Sequence, residues 1–161
     1  MEREFKIKGL IMDPLTNSPI VILQSLEKNT LLPIWVGIFE ANAIALQIER
    51  IDTPRPLTHD LIKNILLQLD ANVDKIVVTD LQENTFYAVI HLRMNGDRIT
   101  IDSRPSDAIA LALRTDAPIY VTEEVIKNSR NISLEKENLD SEDIKKWLEN
   151  LNPDDMGKYK M

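Results

Sequence analysis

Ile34-Trp35-Val36-Gly37-Ile38-Phe39-Glu40-Ala41-Asn42-Ala43-Ile44-Ala45-Leu46 returns later in the chain as Ile99-Thr100-Ile101-Asp102-Ser103-Arg104-Pro105-Ser106-Asp107-Ala108-Ile109-Ala110-Leu111. Asn-Ala-Ile-Ala-Leu becomes Asp-Ala-Ile-Ala-Leu, and the apolar run ahead of it aligns without a gap. A repeat sets architecture before any other feature, because each copy is one supersecondary unit. Two copies within one domain's length predict a pseudo-symmetric fold and not a solenoid. Residues common to both copies read as scaffold, and residues in one copy only are candidates for function.

Outward from the repeat, the first copy spans about residues 5–51 and the second about 73–114. Alternation and turn residues predict strands over 5–11, 20–23 and 31–38, then a helix over 40–51 with Ala41, Ile44, Ala45 and Ile48 on one face. Pro54 and Pro56 break that helix, and Thr58 is placed to cap a linker helix over 59–69. Leu61, Ile62, Ile65, Leu66 and Leu69 give the linker helix a wide stripe that is expected to be buried. The second copy repeats the plan with strands over 75–78, 86–93 and 98–102, an Asn95-Gly96-Asp97 hairpin turn, and a helix over 105–114. A short strand over 118–121 and a short helix over 123–127, capped by Thr122, follow. Beyond residue 128 the chain turns polar, until Ser141 opens a C-terminal helix with Ile144, Trp147, Leu148 and Leu151 on one stripe. The expected fold is α+β (mixed α/β): duplicated β-β-β-α units, a linker helix between them and a C-terminal helix. Residues 1–128 form the domain, and 129–161 are a polar linker and tail helix.

Composition limits the function. The chain has 161 residues, 43% hydrophobic and 28% charged, which suits one globular domain. No apolar run nears the roughly 20 residues of a membrane span, and the N-terminus lacks the apolar core of a signal peptide. A cytoplasmic protein without a membrane partner is expected. With no cysteine, disulfides and thiolate metal sites are excluded. A net charge of −7 argues against coating nucleic acid, where affinity rests on Lys and Arg, but not against an enzyme that acts on it.

The copies differ where strand meets helix. Asp102, Arg104 and Asp107 stand where the first copy has Gly37, Phe39 and Asn42. A sharp bend can bring the two Asp side chains together as a hard oxygen site for Mg²⁺ or Mn²⁺. The plainer alternative is that Asp107 caps the helix and Asp102 pairs with Arg104. A second cluster, Pro54-Arg55-Pro56-Leu57-Thr58-His59-Asp60, leads stiffly into a helix N-terminus, where free N–H groups favour anions. There Arg55 can fork onto a phosphate, and the His59 imidazole is a candidate general acid or base. Its plainer alternative is a capped, solvated first turn.

These same segments resemble the bifunctional nuclease domain family. The resemblance lies in Leu32-Pro33-Ile34-Trp35-Val36-Gly37, Glu40-Ala41, Pro54 through Asp60, Asp102 through Ala112, and Ala117-Pro118-Ile119-Tyr120-Val121, in that order. It implies a nuclease acting on DNA and RNA, the activity described for plant members. The residues themselves, and not the resemblance, suggest the site of a metal-assisted phosphodiesterase, with His59, Asp60, Asp102 and Asp107 as the catalytic set. Arg55, Thr58 and Arg104 hold phosphate, and Asp102, Asp107 and Glu40 hold a divalent ion. The alternative is a non-enzymatic binding or regulatory domain for a phosphorylated ligand or a protein partner. The apolar helices and tail stripe also suggest a homo-oligomer, most simply a dimer.

Overall fold

The computed structural model describes residues 1–129 and 132–133. The expected tail helix from Ser141 lies outside the described residues. Three antiparallel strands, β1 (Glu2–Met12), β2 (Pro19–Ser25) and β3 (Thr30–Trp35), lead into helix α1 (Ile38–Ile48). After α2 (Thr58–Gln68) come β4 (Asn72–Gln82), β5 (Thr85–Met94) and β6 (Asp97–Ser103), which lead into α3 (Pro105–Thr115). Strand β7 (Ile119–Thr122), helix α4 (Glu123–Asn128) and the short β8 (Ile132–Ser133) complete the described chain. The fold is mixed α+β.

The strands form one sheet in the order β6-β5-β4-β7-β1-β2-β3-β8. Each three-stranded meander is therefore continuous, and β7 joins the two. It runs parallel to β4, with Val77 opposite Tyr120, and antiparallel to β1, with Arg3 opposite Val121. The Asn95-Gly96 turn between β5 and β6 has positive φ at both residues (53° and 81°), as the tightest hairpin turns require.

α3 is the central helix. Ala108, Ile109, Ala110, Leu111 and Ala112 are all buried, because it packs on β4 and β5 with α1 and α2 beside it. The small alanines let the neighbouring helix come close. α1 buries Ala41, Ala43 and Ile44 against α3 and the first meander. β2 is buried on successive residues from Ile20 to Leu23, so both of its faces are covered.

Three expectations need correction. α1 begins at Ile38, where a strand was expected to end, because Gly37 takes the extended backbone of a cap (φ −70°, ψ 156°) and stops β3 early. α2 is capped at Leu57 and not at Thr58: the Leu57 N–H donates to Asp60 Oδ2 at 3.0 Å. The wide stripe of α2 is not buried either, since Leu61, Ile62, Ile65 and Leu69 are 37–57% exposed and His59 is the buried residue. α2 rests chiefly on another helix, α3, and a helix offers only a narrow ridge.

Candidate functional site

α1, α2 and α3 each carry an acid at their third residue: Glu40, Asp60 and Asp107. An acid there complements the positive end of the helix. Counted from the helix starts, Glu40 is the counterpart of Asp107. The gapless sequence match pairs Asp107 with Asn42 instead, because Ala43 is the sixth residue of α1 while Ala108 is the fourth of α3. α1 thus has its own carboxylate at the equivalent helical position.

Glu40 and Asp107 meet at Arg104, the N-cap of α3. Arg104 Nε donates to Asp107 Oδ2 at 2.9 Å, and an Nη donates to Glu40 Oε1. The hydrogen bonds to Asp107 and Glu40 outweigh partial burial and raise the Arg104 guanidinium above its ordinary value. It stays charged at every working pH. The other Asp107 oxygen, Oδ1, lies 2.9 Å from His59 Nε2. The His59 side chain is only 11% exposed, and its Nδ1 makes no hydrogen bond to a described residue. Four side chains from three helices therefore form one chain: His59, Asp107, Arg104, Glu40.

This chain lies in a groove of about 910 Å³ at the junction of the three helix N-termini and β6. Glu40, Thr58, His59, Asp102, Arg104 and Asp107 line it. Its walls are largely apolar, with Leu61, Ile62, Ile90, Leu92 and Ile101, and with Phe39, 85% exposed. Arg55 and Asp60 face a neighbouring cavity instead, with Pro56 as a wall common to both. The residues of the single expected site thus divide between two adjoining cavities. Asp102 is exposed and its carboxylate makes no hydrogen bond or ion pair with a described residue, so the alternative pairing with Arg104 does not form.

The donor set does not fit a preformed divalent-ion site. Both Asp107 oxygens are taken, by His59 and Arg104, and Glu40 is bound to the same arginine. Among the described residues, no three His, Asp or Glu side chains converge in the way a metal requires. The guanidinium of Arg104 stands between the carboxylates, where a cation would stand.

Behind the groove is a residue that the sequence did not single out. Arg114 is buried, and its Nε donates to Asp60 Oδ1 at 2.7 Å. Its two Nη atoms donate to the carbonyl oxygens of Ala110 and Ala43. One side chain thus ties α3 to both α1 and α2. Burial acts to raise the Asp60 carboxyl, but the Leu57 N–H, Arg114 and the nearby Lys63 charge outweigh it and hold it below the usual range. A sequence cue existed: Arg114 lies seven residues after Asp107, on the same helix face.

Comparison with known proteins bears on the activity. The family model for the bifunctional nuclease domain matches residues 21–133. An uncharacterised protein of Mycobacterium tuberculosis is 35% identical over 94% of this chain and 96% of its own length. "Bifunctional nuclease 1" of Oryza sativa subsp. indica is 25% identical over 74% of this chain but only 37% of the rice protein. "Bifunctional nuclease 2" of Arabidopsis thaliana is 28% identical over 65% of this chain and 33% of its own length. The chain belongs to the bifunctional nuclease domain family.

Proposed function

We propose that the protein hydrolyses phosphodiester bonds of DNA or RNA in the groove at the three helix N-termini. The observation that carries this reading is the buried His59–Asp107 pair, with Arg104 on the other Asp107 oxygen. With Nε2–H donated to Asp107, His59 Nδ1 keeps a lone pair free to take a proton from an attacking water. Asp107 then orients the ring and stabilises its charged form. Arg104 is half exposed and can turn its remaining N–H groups toward a phosphate oxygen. Thr58, at the start of α2, adds a hydroxyl and a helix N-terminus. No step is routed through a divalent ion. The family match and the plant relatives support nuclease chemistry in general.

The test is cleavage of labelled single-stranded DNA and RNA by the purified full chain, in Mg²⁺, in Mn²⁺ and in chelator. Wild type is expected to cleave, and His59→Ala to lose about 10²-fold or more in rate, the usual weight of a general base. Intact substrates in all three conditions, or a His59→Ala variant as fast as wild type, would sink the proposal. Loss of cleavage in chelator alone would bring Asp102, Asp107 and Glu40 back as ion ligands.

One observation favours the second reading, a binding or regulatory domain. Arg104 already answers two carboxylates, so the cluster is net negative when His59 is neutral. Ligand-induced stabilisation without turnover would select it.

A further inference from the structure

The cavity across Pro56 from the groove has a volume of about 320 Å³. Its charges fall into two sets. Arg114 and Asp60 are bound to each other and fixed by backbone partners, so they form a neutralised wall. Arg55 and Lys63 also line the cavity, and neither side chain makes a hydrogen bond or ion pair with a described residue, though Lys63 acts electrostatically on Asp60. Only Asp52 faces them with the opposite sign and without a partner of its own. Across the whole lining, Arg55, Lys63 and Arg114 stand against Asp52 and Asp60, a net excess of one positive charge in a chain of net charge −7. Arg55 is also restrained, because Pro54 and Pro56 on either side fix their own φ angles and restrict the residue before each. The Thr53 hydroxyl donates to the Arg55 carbonyl at 2.7 Å and braces the same loop. Asn64, one residue beyond Lys63, adds an uncharged donor to the wall.

We infer that this cavity is a phosphate-binding subsite, separate from the groove, in which Arg55 and Lys63 hold the anion. The Arg55 fork can take two oxygens of one phosphate, and Lys63 supplies a point charge beside it. Because Pro56 walls both cavities, a strand leaving the groove past Pro56 would bring its next phosphates here. That source of the phosphate rests on the proposed function. The subsite itself does not, since a small phosphorylated molecule presents the same oxygens.

The test compares wild type with the double variant Arg55→Gln/Lys63→Gln, both as the full chain. One arm follows the anisotropy of a labelled single-stranded oligonucleotide with phosphorothioate links, in chelator, over a range of salt. The expected result is at least tenfold weaker binding at low salt. The slope of log K against log salt should also become shallower by about 1.4, at about 0.7 per lost phosphate contact on single strands. The other arm follows thermal stabilisation by pyrophosphate. If the oligonucleotide results are unchanged but the variant loses the pyrophosphate effect, the subsite stands and its phosphate comes from a small molecule. If both arms match wild type, the inference is overturned. Failure of the nuclease reading is distinct: wild type would then cleave nothing while the salt slopes still differed.

Discussion

At the residue scale, Arg114 governs how the site is held. Its guanidinium bonds to groups on all three helices, so removing it leaves Asp60 without its ion-pair partner and two carbonyl oxygens without a donor. Arg114→Met should therefore destabilise the fold by about 3–5 kcal/mol, the range for breaking a buried pair from one side. Arg114→Lys keeps the charge but loses the fork, and should fall between wild type and Arg114→Met. Urea denaturation of the three proteins measures the order, and equal midpoints would refute it. His59 and Asp107 could be picked out in the sequence as candidates, because polar residues of those types at helix starts carry chemistry. Their meeting could not, since it joins residues 48 positions apart through the crossing of two helices. The role of Arg114 depends on the same crossing: a basic residue in a last helical turn reads as a dipole partner until its tertiary neighbours are known.

At the element scale, the feature that makes the site is three helix starts at one place. The repeated Ala-Ile-Ala-Leu exposed two of those helices, and the Pro-Arg-Pro break exposed the third. The sequence misled where it assumed that an apolar stripe is buried. α2 shows the stripe and leaves most of it exposed, because what a helix buries depends on the layer beneath it. The cap of α1 offers a test of how tightly the starts are set. Gly37 has an ordinary φ of −70°, so alanine is tolerable for the backbone. A Cβ added there would press into the Glu40 carboxylate. That group is the far end of a flexible side chain and can move, though only by giving up its place on Arg104. Gly37→Ala should thus shift stability by no more than about 0.5 kcal/mol, as for a benign surface change. Cleavage should still fall several-fold. Paired measurements of the urea midpoint and kcat/KM would detect this split, and a loss of both together would contradict it.

At the scale of the whole molecule, the two meanders were legible in the sequence and the way they join was not. The short strand expected over 118–121 follows both copies in the chain, yet as β7 it sits between β4 and β1 and makes one sheet of two. Only pairing across the whole chain fixes that place, and no local pattern encodes it. The same dependence on distant partners gives the fold its response to acid. Asp13 is fully buried at the start of the turn between β1 and β2. It accepts hydrogen bonds from the Trp35 indole at 3.0 Å, the Leu15 N–H at 2.9 Å and the Thr16 hydroxyl at 2.8 Å. Burial alone would raise its carboxyl, but these donors outweigh it and hold the group below the usual value, as the partners of Asp60 do there. Both groups therefore bind protons more weakly in the folded state than in the unfolded one. Their stabilisation is fully present above the unfolded value, about 3.9 for Asp, and is lost as pH falls through the lower folded values. Between those limits the unfolded state holds more protons, so stability must rise with pH. The urea midpoint should hence not vary with pH through this pair between about pH 5 and 8, where its stabilisation is fully present, and should drop below about pH 4. Asp13→Asn removes one of the two titrations, so its midpoint should start lower at neutral pH and fall less steeply in acid. If the variant's acid limb is as steep as that of wild type, Asp13 is not one of the groups that set it.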